Sequence, residues 1–179
     1  MPSEETFLPP SLYVIKAILI LDNDGNRLIS KYYDNTFNGI KEQKAFEKNL
    51  FTKTYRANSE IMMLDGLTCL YKSNVDIYFY IIGSQNENPI MLLNILNTLY
   101  DTVNIILRKN IEKKYFMENL DLMFLAIDEI CDRGIFMTSS PSLIIQQIML
   151  RNDDIPLTEQ TMAQVYQAAK DQLKYHLMK

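Results

Sequence analysis

The strongest constraint on this chain is a run near its start, residues 12–21, LYVIKAILIL, which is apolar at nearly every position and stops at Asp22-Asn23-Asp24-Gly25. A half-buried strand alternates apolar and polar residues, whereas a run apolar throughout must be covered on both faces. The Ile, Val and Tyr content and the abrupt stop favour a strand over a buried helical segment. A second run of this kind occupies residues 75–82, VDIYFYII. Two doubly buried strands belong in the middle of one sheet, side by side, and the rest of the chain must cover two faces.

The intervening segments supply the cover. Residues 27–33, RLISKYY, are mixed in polarity and suit an edge strand, with Lys31 guarding the edge. Residues 41–55 contain no Gly or Pro and place Ala45, Phe46, Leu50 and Phe51 on one side of a helix, with Asn38 or Gly39 as its cap. Residues 61–64 and 67–71 flank Asp65-Gly66 and form a hairpin that continues into 75–82 as a meander. After Asn88-Pro89, an N-cap and first-turn pair, residues 90–107 and 111–130 read as two long helices, the second capped by Gly134. A short helix at 143–150, a linker at 151–156 and a last helix from Thr158 complete the chain.

The element order is not an alternating βαβα, so a doubly wound parallel sheet is excluded. The expected fold is α+β: a five-stranded sheet of order 2-1-5-4-3, antiparallel with only the 1/5 junction open to a parallel reading. The first helix covers one face, the long pair the other, and a helical extension follows. Residues 1–11 read as a flexible terminus, 12–150 as the domain, and 151–179 as linker plus helix.

Asp22-Asn23-Asp24-Gly25 looks like a calcium loop, and spacing tests it. An EF-hand needs oxygen ligands at positions 1, 3 and 5, glycine at 6 and glutamate at 12. Counting from Asp22 places Arg27 at 6 and Tyr33 at 12, so both requirements fail. The alternative is a hairpin turn with Asp24 and Gly25 as the two central residues of type I′.

Other chemistry is thin. The chain has one histidine, His176, and two cysteines, Cys69 and Cys131, without CxxC spacing. No GxSxG, GxGxxG, P-loop or HExxH occurs. Net charge is −4, with no basic block of the kind nucleic acid requires. The most apolar long stretch, 90–107, is interrupted by Asn94, Asn97, Asp101 and Asn104, which argues against a membrane span. No catalytic residue, metal or cofactor is therefore expected. Candidate partner contacts are Tyr78 and Tyr80 on the fifth strand, Tyr100 on the first long helix, and the acidic pair Asp128 and Asp132. The last helix carries Met162, Val165, Tyr166, Ala169, Leu173 and Leu177 on one stripe, which suits docking onto protein better than onto a membrane surface.

Several long stretches also resemble a known family in order and register: SLYVIKAILILDNDGNRLISKYY, KEQKAFEKNLF, DIYFYIIGSQNENPIMLLNILNTLYD, the helix end LAIDEICDRG, and IPLTEQ before the last helix. The chain is similar to the zeta subunits of coatomer and, more distantly, to the sigma chains of clathrin adaptor complexes. The resemblance spans residues 11–179. It implies a longin-type fold and a non-enzymatic place in the COPI coat for Golgi-to-ER and intra-Golgi transport. The implied direct partner is the trunk of the coatomer gamma subunit. The beta, delta and outer-coat subunits and the Arf GTPase would be indirect partners. Membrane association would be peripheral, through the complex, at the cytoplasmic side of the Golgi and on coated vesicles. The alternatives are a sigma-type chain or a free-standing longin module acting on a GTPase or SNARE. The dileucine-signal binding of sigma chains is not carried over, because its residues find no one-to-one match here.

Overall fold

A computed structural model describes residues 13–55, 57 and 60–152. Its elements are β1 (Ile15–Asp22), β2 (Arg27–Tyr32), α1 (Ile40–Thr54), β3 (Ile61–Leu64), β4 (Leu67–Ser73), β5 (Ile77–Ser84), α2 (Pro89–Ile106), α3 (Lys113–Glu118), α4 (Leu120–Ile130), β6 (Cys131–Asp132), β7 (Ile135–Phe136) and α5 (Pro141–Asn152). Strands β1 to β5 form one sheet of order β2-β1-β5-β4-β3. Every neighbouring pair is antiparallel, β1 with β5 included.

The two apolar runs take the central places because each feeds two cores at once. From β1, Ile18 and Ile20 enter one cluster with Ile81 and Phe79 of β5 and with α2, α4 and α5. The alternate residues Ala17, Leu19 and Leu21 enter a second cluster with Tyr80, Ile82 and the α1 residues Phe46 and Leu50. The period-two alternation of a strand thus sorts one apolar run into two layers. As the sequence requires, α1 lies on one face and the later helices on the other.

Asn88 accepts a hydrogen bond from the Ile90 N–H at 2.9 Å, and Pro89 begins α2, as the sequence indicates. The 111–130 segment departs from the expected single helix. It breaks at Asn119, whose side-chain amide donates to the Tyr115 carbonyl at 2.8 Å. That amide draws one carbonyl out of the ladder, a local competition asparagine is suited to. Gly134 is not a helix cap either. Helix α4 ends at Ile130, and Arg133 (φ 48°) and Gly134 (φ 86°) turn a small β6–β7 hairpin whose Gly134 carbonyl accepts from the Ile15 N–H at 3.0 Å. The linker reading of 151–156 meets helix at its first two residues, since α5 runs to Asn152. The expected flexible residues 1–11, the rest of that linker, the last helix and His176 lie outside the described residues.

Candidate partner-binding surface

The aspartate-rich loop is a built hairpin, and it differs from the expected type I′ turn. Gly25 has φ 76°, but Asp24 is not in the positive-φ region. The Gly25 N–H donates to the Asp22 carbonyl at 3.0 Å, and the Asp22 N–H to the Asn26 carbonyl at 2.9 Å. The loop is therefore three residues, Asn23 to Gly25, in the arrangement of a type I turn closed by a left-handed glycine. The cause is the Asp22 side chain. Its Oδ1 accepts from the N–H groups of Asp24 at 3.0 Å and Asn26 at 2.7 Å. Its Oδ2 accepts from the Asn26 amide at 3.2 Å and from Lys113 Nζ at 2.8 Å. The Lys113 ammonium thus stands where a metal reading would put a cation. Asp76 Oδ2 accepts the Lys113 backbone N–H at 2.9 Å, so two loops of the sheet hold the start of α3. Burial pushes the Asp22 carboxyl up; the bonds from Lys113, Asn26 and Asp24 more than reverse this and leave it below the ordinary 3.8. By contrast, Asp65 (φ 52°) and Gly66 (φ 74°) both take positive φ between the paired residues Leu64 and Leu67, and there the two-residue type I′ turn is realised.

The five candidate contact residues do not form one surface. Tyr80, expected to offer contact area, is fully buried, and its hydroxyl lies 2.8 Å from Thr54 Oγ1. It belongs to the core because its strand face is covered by α1. Tyr78 is half-buried on that same face, its ring 5.2 Å from Phe51. Tyr100 lies on the opposite face, edge-on to Phe79, with Lys72 Nζ 4.1 Å from its ring centroid. Asp128 and Asp132 do share a region. Asp128 pairs with Lys31 of β2, and Asp132 lies near enough to raise the Lys31 affinity for its proton against the larger effect of burial. Glu129, between them in sequence, faces elsewhere and pairs with Arg151 of α5 at 2.6 Å. Asp128 and Glu129 are thus engaged by cations of two different elements, Lys31 of β2 and Arg151 of α5.

Two further surface features lie outside the five candidate residues. One is the β3 edge, where Met63 is 63% exposed and Ile61 is also exposed, both on the sheet face that α2 only partly covers. Their alternation with Met62 and Leu64, which face α1, was the available signal. The other is an apolar groove of about 260 Å³ where the end of α2 meets α3, α4 and α5. Among the described residues, no group of three or more His, Cys, Asp or Glu side chains is placed to hold a metal ion, and no helix is long and apolar enough to cross a membrane.

The family model of the clathrin adaptor complex small chain matches residues 14–155. The chain belongs to that family. It is 54% identical to coatomer subunit zeta-1 of Homo sapiens over 176 residues, covering 98% of this chain and 99% of that one. It is 50% identical to human coatomer subunit zeta-2, over 99% of this chain and 85% of that one, and 37% identical to coatomer subunit zeta-1 of Arabidopsis thaliana, over 96% and 99%. Among structures, a chain of a homology model of the full-length AP-3 complex in a stretched open conformation superposes with a TM-score of 0.62 at 16% identity, covering 78% of this chain and 94% of that one. At that identity the likeness speaks for the fold, and the fold is that of the adaptor small chains.

Proposed function

We propose that this chain is the small subunit of the COPI coat, held against the trunk of the coatomer gamma subunit. The observation that carries the reading is the end-to-end 54% identity to coatomer subunit zeta-1, with coverage of 98% and 99%. It serves retrograde Golgi-to-ER and intra-Golgi transport at the cytoplasmic side of Golgi membranes and on coated vesicles. The beta, delta and outer-coat subunits and Arf reach it through the complex. Its role is structural: a sheet with two apolar cores offers the trunk a rigid body and performs no chemistry.

The trunk covers the β3 edge on this reading. Exposed apolar residues on the last strand of a sheet invite association, and Met63 and Ile61 give that edge an apolar surface. Of the sequence candidates, Asp128 and Asp132, near Lys31 of β2, offer a second contact on this reading.

The test is co-expression with a coatomer gamma trunk. A one-to-one complex is expected, with thermal stability above that of the free chain. Met63→Glu lowers co-purification at least tenfold while leaving the free chain folded. No complex, or equal stability with and without the trunk, overturns the reading; a complex that Met63→Glu leaves intact overturns the β3 assignment alone.

A further inference from the structure

The groove between α2, α3, α4 and α5 is lined by the apolar side chains of Ile106 and Leu107 at the end of α2, Leu122 of α4, and Ile145, Ile148 and Met149 of α5, together with Arg108, Asn110, Tyr115 and Asn119. Leu107, Ile145 and Ile148 are buried, while Ile106, Leu122 and Met149 are half-buried. An open apolar cleft of about 260 Å³ on a small domain is a place where apolar side chains insert. Its volume takes a few side chains along one stripe.

Residues 153–179 begin at the end of the helix that forms one wall of this groove. They carry Met162, Val165, Tyr166, Ala169, Leu173 and Leu177 at the i, i+3, i+4, i+7 spacing of a helix with one apolar side. The six steps from Asn152 to Thr158 reach about 20 Å when extended, enough to turn the chain back along α5. The family model stops at residue 155, whereas the match to coatomer subunit zeta-1 takes in 98% of the chain. The segment is thus an addition to the family domain that the coat-subunit relatives share.

We propose that residues 158–178 form a helix that docks in cis, its apolar stripe seated in the groove between the end of α2 and α5. This covers the apolar cleft at that end of the described domain, and it needs no partner chain, so it stands or falls independently of the coat reading. Attachment in cis favours it, because a tethered segment meets the groove at high effective concentration.

Nitroxide broadening in the full-length chain tests the proposal. Cys69 and Cys131 are both buried, so a label attaches selectively to Gln164→Cys, on the side of the segment opposite the stripe. The methyl signals of Met149 and Ile145 should fall to less than half their diamagnetic intensity, independently of protein concentration. Ile40, on α1 at the other face of the sheet, should not change. Val165→Asp combined with Leu173→Asp should restore the signals. In a mixture of isotope-labelled chain without the nitroxide and unlabelled chain carrying it, no broadening is expected. Absence of broadening in the labelled chain overturns the proposal. So does broadening in the mixture, which would assign the groove to a second copy, or broadening that survives the double aspartate variant.

Discussion

Replacing Asp22 is the sharpest probe of how this chain is put together. The side chain is only 1% exposed, yet it accepts four hydrogen bonds, two of them from the backbone N–H groups that close the β1–β2 loop. Asp22→Ala removes two charge-assisted bonds to backbone donors, each contributing about 1.5–3 kcal/mol, and water recovers part of that because the loop is half-open. The net cost should be about 2–4 kcal/mol, read as a lower urea midpoint at unchanged slope. Asp22→Asn keeps an acceptor for Asp24 and Asn26 but turns an amide donor toward Lys113 and the Asn26 amide, so its cost should be under half that of alanine. The pH dependence has a definite sign. The folded carboxyl titrates below its ordinary 3.8, so its contribution is complete above the unfolded value and fades as pH falls through the folded one. Wild type and Asp22→Asn should therefore differ at pH 7 and converge only as the pH falls below 3.8 through the lowered folded value. Calcium should shift neither. An alanine variant within 0.5 kcal/mol of wild type, or an asparagine variant worse than alanine, would refute the hydrogen-bond account; a calcium-dependent rise in Tm lost in Asp22→Asn would return the loop to the metal-site class.

Three further outcomes are expected. Glu47, on α1 and 3% exposed, accepts from Arg27 at 2.6 and 3.0 Å and from the Tyr32 hydroxyl at 2.9 Å, so Glu47→Ala should cost about 3–5 kcal/mol, while Arg27→Met with Glu47→Leu should recover most of it in a double-mutant cycle by urea unfolding. Gly134→Ala puts a Cβ 2.7 Å from the Ile15 carbonyl oxygen at φ 86°, whereas Gly66→Ala meets nothing closer than 4.0 Å at φ 74°; scanning calorimetry should show a clearly larger loss of Tm for the first, with the second near 1 kcal/mol. Burial pushes the Cys69 thiol up to about 12 and raises that of Cys131, so both should resist alkylation at pH 8 in the folded chain and react together on addition of guanidinium.

What the sequence disclosed follows from how each feature is encoded. Burial of β1 and β5 on both faces is spread over eight residues each, and no other arrangement accommodates two such runs, so the sheet order was legible. The break at Asn119 depends on one amide reaching one carbonyl, and a helix-period pattern passes over it unaltered. The loop type at Asp24-Gly25 was misread for a related reason: the dipeptide suits type I′, but the residue before it, Asp22, has a side chain that reaches the loop N–H groups. Asp65-Gly66 has Leu64 and Leu67 as neighbours, and without a competing acceptor the dipeptide preference prevails. Tyr80 looked available because tyrosine suits both cores and interfaces; only the position of α1 decides which. The groove at the end of α2 was invisible for the opposite reason, since its residues come from several separate helices and the turn after α2.

The same encoding explains why the β1–β2 loop is held by so many interactions. Where one face of a strand is polar, a slip of one residue buries charge and is excluded by pattern alone. In β1 a slip would exchange Ile18 and Ile20 for Ala17, Leu19 and Leu21, moving apolar side chains from one apolar core to the other. Hydrophobicity therefore defends the register of this strand weakly, and something local must fix it. Three local devices converge there: the Asp22 carboxylate bonded to the loop N–H groups, Gly25 at positive φ, and the Phe51 ring packed so close to Gly25 that any Cβ would lie 2.6 Å from its edge. Changing the loop should then do more than cost stability. In Asp22→Ala the amide exchange of β2 should rise more than that of β4, because β2 takes its register from this loop and β4 takes its own from Asp65-Gly66. Equal acceleration in β2 and β4 would mean that the two cores, after all, hold the register by volume alone.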